Sequence, residues 1–250
     1  MTFRLSGAVI FAALLAAGGT QAAQVRIEGA AEASGTHDMA TNARLADALL
    51  LARPSADAYL LGASFERPQA LESQVRLRAG LQYGTGKLTE SSDTQVATLG
   101  RTLQDWLGTH AATGRTPIAS AARLIQVQPV NNPVLAAGDT LRFPLKPGTI
   151  TVMGAVEQRC TLPHVPQRDA RDYLRDCQAS DLADRNDIFV IQPDGRVQQL
   201  GIALWNRADT QAIAAGGTLF VPLRASLLKH IDPLFNSDFA AFIATQPVSP

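Results

Sequence analysis

The chain has 250 residues, 46% of them hydrophobic, and its 22 Lys and Arg balance 22 Asp and Glu. That length permits one large domain or two small ones. The even charge excludes the basic footprint of a nucleic-acid binder and suits contact with uncharged polymers or other proteins.

Residues 1–22 read as a secretory signal. Arg4 supplies a positive start, Ala8 to Ala17 is an unbroken apolar run, and small residues lead to cleavage near Ala22. The run is shorter than the ~20 residues that span a bilayer. Export from the cytoplasm is therefore expected. An uncleaved N-terminal anchor is the alternative.

A short strand, Val25-Arg-Ile-Glu28, opens the mature chain, and a helix follows from Ala43 to Ala52. Tyr59-Leu-Leu-Gly62 reads as the next strand. Pro68 then suits a first helical turn, with Leu71, Val75 and Ala79 at helical steps. Gly84-Thr-Gly86 reads as the break between two helices. Ser92-Asp93 caps the second, whose apolar face carries Val96, Leu99, Leu103, Trp106 and Leu107.

The second half repeats the first. Ala136 to Leu145 matches Ala214 to Leu223 at seven of ten positions, an offset of 78 residues. Gly29-Ala30-Ala31-Glu32 resembles Gly154-Ala155-Val156-Glu157 at an offset of 125. Both offsets fit one duplicated unit if the first copy carries about 47 extra residues. The helical stretch from about Pro68 to Thr113 supplies them. In the second copy Ile150-Thr-Val-Met153 opens as a strand and Asp169 to Cys177 reads as a helix. Ile188–Gln192 and Val197–Leu200 are strands joined at Pro193-Asp-Gly195.

These patterns predict an α+β fold of two tandem β-grasp domains, the first with a helical-hairpin insertion, plus a C-terminal amphipathic helix. The expected divisions are residues 23–147 with the insertion at about 68–113, residues 148–232, and a tail of 233–250. In the tail Leu234, Phe235, Phe239, Phe242 and Ile243 share one helical face. That face either packs on the body or docks a protein partner or membrane surface.

Cys160 and Cys177 are the two cysteines. In an exported protein such a pair reads more often as a disulfide than as a metal site, with two free buried thiols as the alternative. Cys160 and His164 stand four apart, yet no fourth zinc ligand is evident and Pro163 lies between them. His37, His110 and His230 are at no metal-ligand spacing. No Gly-x-Ser-x-Gly elbow occurs, and Gly84-Thr-Gly-Lys87 lacks the spacing of a phosphate loop. No metal, cofactor or catalytic residue is assigned.

Arg115 and Trp205 are the candidate ligand-binding residues. Arg115, where the helical stretch returns to the sheet, offers fixed donors for sugar hydroxyls or carboxylates; the alternative is a structural tie. Trp205 offers an aromatic face; the alternative is a core residue.

The ordered set Arg44-Leu-Ala-Asp-Ala-Leu49, Asp57-Ala-Tyr-Leu-Leu-Gly-Ala63, Gly114-Arg-Thr-Pro117, Thr151-Val-Met-Gly-Ala-Val156, Val190-Ile-Gln-Pro-Asp-Gly-Arg196 and Ala203-Leu-Trp-Asn-Arg207 resembles the capsule biosynthesis GfcC family. Its units resemble the soluble ligand-binding β-grasp modules of Wza-type outer-membrane polysaccharide export proteins. The resemblance implies a periplasmic accessory of capsule or exopolysaccharide assembly and export. Such a protein would bind polysaccharide or the export machinery without catalysis. A polysaccharide-modifying enzyme and a structural partner of an export channel are the competing expectations. The cysteine pair departs from what such modules generally carry.

Overall fold

The computed structural model describes residues 23–118, 125 and 128–248. The expected signal segment, 1–22, lies outside the described residues. The fold is mixed α+β, with two five-stranded mixed sheets.

The first sheet uses β1 (Ala23–Gly29), β2 (Gly35–Met39), β3 (Ser64–Glu66), β4 (Arg115–Thr116) and β5 (Thr140–Phe143), in the order β2-β1-β5-β3-β4. The second uses β6 (Thr149–Gly154), β7 (Cys160–Pro163), β8 (Asp187–Ile191), β9 (Val197–Gly201) and β10 (Thr218–Val221), in the order β7-β6-β10-β8-β9. In each sheet one parallel pair, β1–β5 or β6–β10, sits among antiparallel neighbours.

The sequence offsets recur in the backbone pairing. Bridges Ala31–Pro54 and Arg44–Val134 have counterparts in Val156–Ala179 and Asp169–Ala212, and Ala58–Leu145 has one in Ala183–Leu223. Gly29 and Gly154 take φ of +85° and +103°. A Cβ at either would lie 2.1 or 2.2 Å from the carbonyl oxygen of Phe143 or Val221. Only glycine has the room and the left-handed freedom there. The next residue, Ala30 or Ala155, then donates to that same carbonyl at 2.8 Å.

The sheets differ in one connection. Residues 192–196 turn directly from β8 to β9, whereas α2 (Pro68–Thr89) and α3 (Thr94–Thr109) lie between β3 and β4. Asp93 caps α3 by accepting from the N–H groups of Gln95 and Val96.

Three local expectations change. Tyr59-Leu-Leu-Gly62 is not a strand: Leu60–Gly62 form a 3-10 turn, and β3 begins at Ser64. Leu60 is exposed, so the segment lacks the buried alternation a strand needs. Asp169 to Cys177 gives a 3-10 run, Ala170–Arg175, in place of an α-helix. It is short and pinned, with Tyr173 fully buried and Cys177 held by its disulfide. The Gly84-Thr-Gly86 stretch does not break the hairpin, for α2 runs through it to Thr89. Helix interiors tolerate a glycine at a cost of about 1 kcal/mol. Gly84 has a packing reason: a Cβ there would come within 2.8 Å of the Phe235 ring.

The packing crosses the chain in an unexpected way. Val25, Ile27, Leu45, Ala48, Phe65, Leu141 and Phe143 fill a core of the first sheet with α1 (Leu45–Ala52). The buried face of the helical pair does not join it. Leu81, Leu88, Leu99, Leu103 and Leu107 share one core with Val152, Val190, Leu219 and Phe220 of the second sheet. The tail completes that core. After α4 (Ala225–Leu228), helix α5 (Phe235–Ala244) buries Phe235, Phe239, Phe242 and Ile243. Phe239 stacks on Phe220 with ring centroids 5.3 Å apart. Of the two readings of the tail, packing on the body describes this face, because burial on the protein's own core consumes it. Leu234 alone of the five stays exposed.

Candidate functional site

A groove of about 580 Å³ runs between α3 and the second sheet. One wall is the outer side of α3, with Thr94, Thr98, Thr102 and Asp105. The other comes from the β6–β7 turn and the chain before β8, with Glu157, Gln158, Arg159 and Asp181. These walls are exposed. Leu99, Leu103, Met153 and Leu182 form a buried apolar floor, and half-buried Trp106 lies at one side. Trp106 is steadied by His110, stacked at 4.0 Å, and by the edge-on ring of Phe242 at 6.1 Å. The sequence reading missed this site. Its one visible signal was threonine at four-residue steps along a helix whose other side is apolar.

Arg115 sits elsewhere, at the seam between the two sheets. It is 5% exposed. Nη1 donates to the carbonyls of Ala244 at 3.3 Å and Gln246 at 2.7 Å, and Nη2 donates to that of Pro193. Burial pulls the guanidinium's pKa down, against the opposing pull of Asp194 and Glu66. The seam continues through Tyr59, whose hydroxyl donates to the Ala215 carbonyl at 2.9 Å, and through Thr113, which donates to Thr245. Burial first, and then Asp194, raises the Tyr59 pKa. Arg115 is a clasp: both terminal nitrogens are committed to backbone carbonyls, so the expectation of an open sugar-binding donor gives way to the structural tie.

Trp205 is 78% exposed and Leu204 beside it 87%. The indole Nε1–H donates to Asn186 Oδ1 at 3.2 Å. Trp205 is therefore a surface residue following edge strand β9. Nothing brings it together with Arg115 into one site.

Cys160 and Cys177 form a disulfide, with Cα atoms 6.1 Å apart. It ties edge strand β7 to the segment after the 3-10 run, and it settles the free-thiol and zinc alternatives for these residues. His164 is engaged separately, through Nε2 and the Ile213 carbonyl at 3.2 Å. Among the described residues no three His, Cys, Asp or Glu side chains are grouped to hold a metal.

Strands β7 to β10, the disulfide and the tail helix fall within a stretch that matches a known sequence family. Residues 158–247 match the model described as capsule biosynthesis GfcC C-terminal. That stretch of the chain is similar to the GfcC family. The matched stretch contains the groove wall residues Gln158, Arg159 and Asp181, together with Trp205 and all of α5. The chain is also similar to the uncharacterized protein YjbG of Escherichia coli (strain K12), at 26% identity over 183 residues. The alignment covers 73% of this chain and 74% of that protein, so the likeness extends beyond the GfcC C-terminal stretch.

Proposed function

We propose that the protein is an exported accessory of capsule or exopolysaccharide assembly that binds polysaccharide in the groove beside α3, without catalysis. The GfcC match carries the capsule role. The Cys160–Cys177 disulfide supports an oxidising compartment, the periplasm. On this reading each sheet belongs to a β-grasp unit, residues 23–147 and 148–232, and α2 with α3 is an insertion in the first. The shared strand order and the repeated bridges support that division. Binding rather than chemistry is favoured by the groove's carboxylates. Asp105, Glu157 and Asp181 stand in solvent, outside the apolar enclosure a catalytic acid uses.

Deletion of the gene, with polysaccharide measured on cells and in the medium, tests the role. Surface polymer falls, and plasmid-borne protein restores it. Unchanged polymer would remove the reading.

One observation favours a second reading, a structural partner of the export machinery. Leu204 and Trp205 present adjacent apolar side chains to solvent, a pairing suited to a protein contact. Double substitution to Ser, followed by crosslinking in cells, separates the two. Loss of a crosslinked partner with groove binding intact supports the structural role.

A further inference from the structure

The groove's walls carry a chemistry that selects among polymers. The exposed side of α2 bears ion pairs, Glu72–Arg76 and Lys87–Glu90. That is how a helix facing only water is usually dressed. α3 differs: its groove side carries Thr94, Thr98, Thr102 and Thr109. Threonine is a poor helix former, because its β-branch restricts the side chain against the preceding turn. Where the same side of a helix lines a concave surface, such local cost marks a use other than folding.

The charges show no cationic excess. Asp105, Glu157 and Asp181 face Arg159. Arg185 pairs with Asp181 at 3.3 Å, and Arg101 donates to the Thr98 hydroxyl at 3.0 Å. Within the lining itself three carboxylates meet one guanidinium, and Arg101 and Arg185 lie beyond it. A site for an acidic polymer would show a cationic excess, since each uronate or phosphate needs a donor of opposite charge. The floor is apolar, and beside their charges the walls offer hydroxyls and amides. An uncharged sugar has the same division, with C–H faces on its ring and hydroxyls at its rim. The volume, about 580 Å³, falls within the range of small-molecule pockets.

We propose that the groove between α3 and the β6–β7 turn binds an uncharged stretch of polysaccharide, and discriminates against acidic sugars. This rests on the polysaccharide-binding role proposed above and names its ligand class.

The test uses the full mature chain with its disulfide intact. Surface polysaccharide of the producing strain is partly hydrolysed and split by anion exchange into neutral and acidic oligosaccharides. Each fraction is titrated into isotope-labelled protein at physiological salt. The neutral fraction shifts the backbone amides of Thr98, Thr102, Gln158 and Ser180 together, and the acidic fraction binds at least tenfold more weakly. Thr102→Arg, which projects bulk into the groove from an exposed position, weakens neutral binding at least tenfold at unchanged melting temperature. Thr102→Ser keeps it. Four outcomes would overturn the proposal: no shifts at those amides, equal or tighter acidic binding, wild-type binding by Thr102→Arg, or a polymer yielding no neutral oligosaccharide. If gene deletion still abolishes surface polymer in such a case, the ligand class fails while the capsule role stands.

Discussion

Arg115 Nη1 reaches the carbonyl of Gln246 at 2.7 Å, joining strand β4 of the first sheet to the end of the tail helix on the second. With Pro193 and Ala244 also accepting from this guanidinium, one side chain of β4 fastens two distant pieces of chain, the β8–β9 turn and the end of the tail. Arg115→Ala leaves buried carbonyls without donors and should cost about 3 kcal/mol. Arg115→Lys keeps the charge but loses the planar fork, and should recover only part of that. Urea unfolding measures both; a variant as stable as wild type would contradict the clasp.

Gly80 and Gly84 lie one turn apart on α2 and should respond oppositely. Nothing lies within 4 Å of a Cβ at Gly80, so Gly80→Ala gains helix propensity, about 1 kcal/mol. At Gly84 the added carbon meets the buried Phe235 ring, and Gly84→Ala should lose about 1–3 kcal/mol through overpacking. Thermal melts of the two variants compare them directly.

Removing residues 233–250 takes Phe235, Phe239, Phe242 and Ile243 out of the core that the helical pair shares with the second sheet. The truncated chain should lose cooperative unfolding and expose apolar surface, seen as dye binding. A truncated chain that melts like the full one would mean that the tail is an appendage.

The disulfide closes a loop with a sequence separation of 17. Replacing both cysteines with Ala should lower stability by about 3 kcal/mol on the chain-entropy model. Intact-mass measurement without reduction should show the two-proton deficit of the bonded pair.

Asp169 gives a pH signature. Burial raises its pKa, but Arg171 and the N–H groups of Arg171 and Gln211 outweigh that, leaving it below the usual carboxylate range. A depressed folded pKa stabilises the protein above the unfolded value of about 4, and that contribution is lost as pH falls below it. Asp169→Asn should flatten the acid limb of stability against pH, and also weaken the cap on the 3-10 run.

Much of the fold was legible because it is written in local patterns. The strands β1, β6, β8 and β9 follow short segments rich in Val, Ile and Leu and bounded by turns, and Asp93 announces α3. The repeat offsets of 125 and 78 return as bridge pairs, since Gly29 and Gly154 each occupy a backbone position that only glycine can take. The resemblance to the GfcC family was legible for the same reason, as ordered short motifs, of which Val190–Arg196 and Ala203–Arg207 lie within the matched residues 158–247.

What the sequence could not decide is which apolar face meets which. The hairpin's leucines pack on the second sheet, although the chain leaves and rejoins the first. Gly84 looked like a helix break because its reason, the Phe235 ring, lies far along the chain. Arg115 looked like a binding residue because its acceptors are backbone carbonyls, which have no sequence signature. The groove exists only where α3 stands against the β6–β7 turn. Propensity and periodicity act between neighbours, whereas burial and concavity arise between segments, so the amino-acid order specified the elements and tertiary packing assigned their roles.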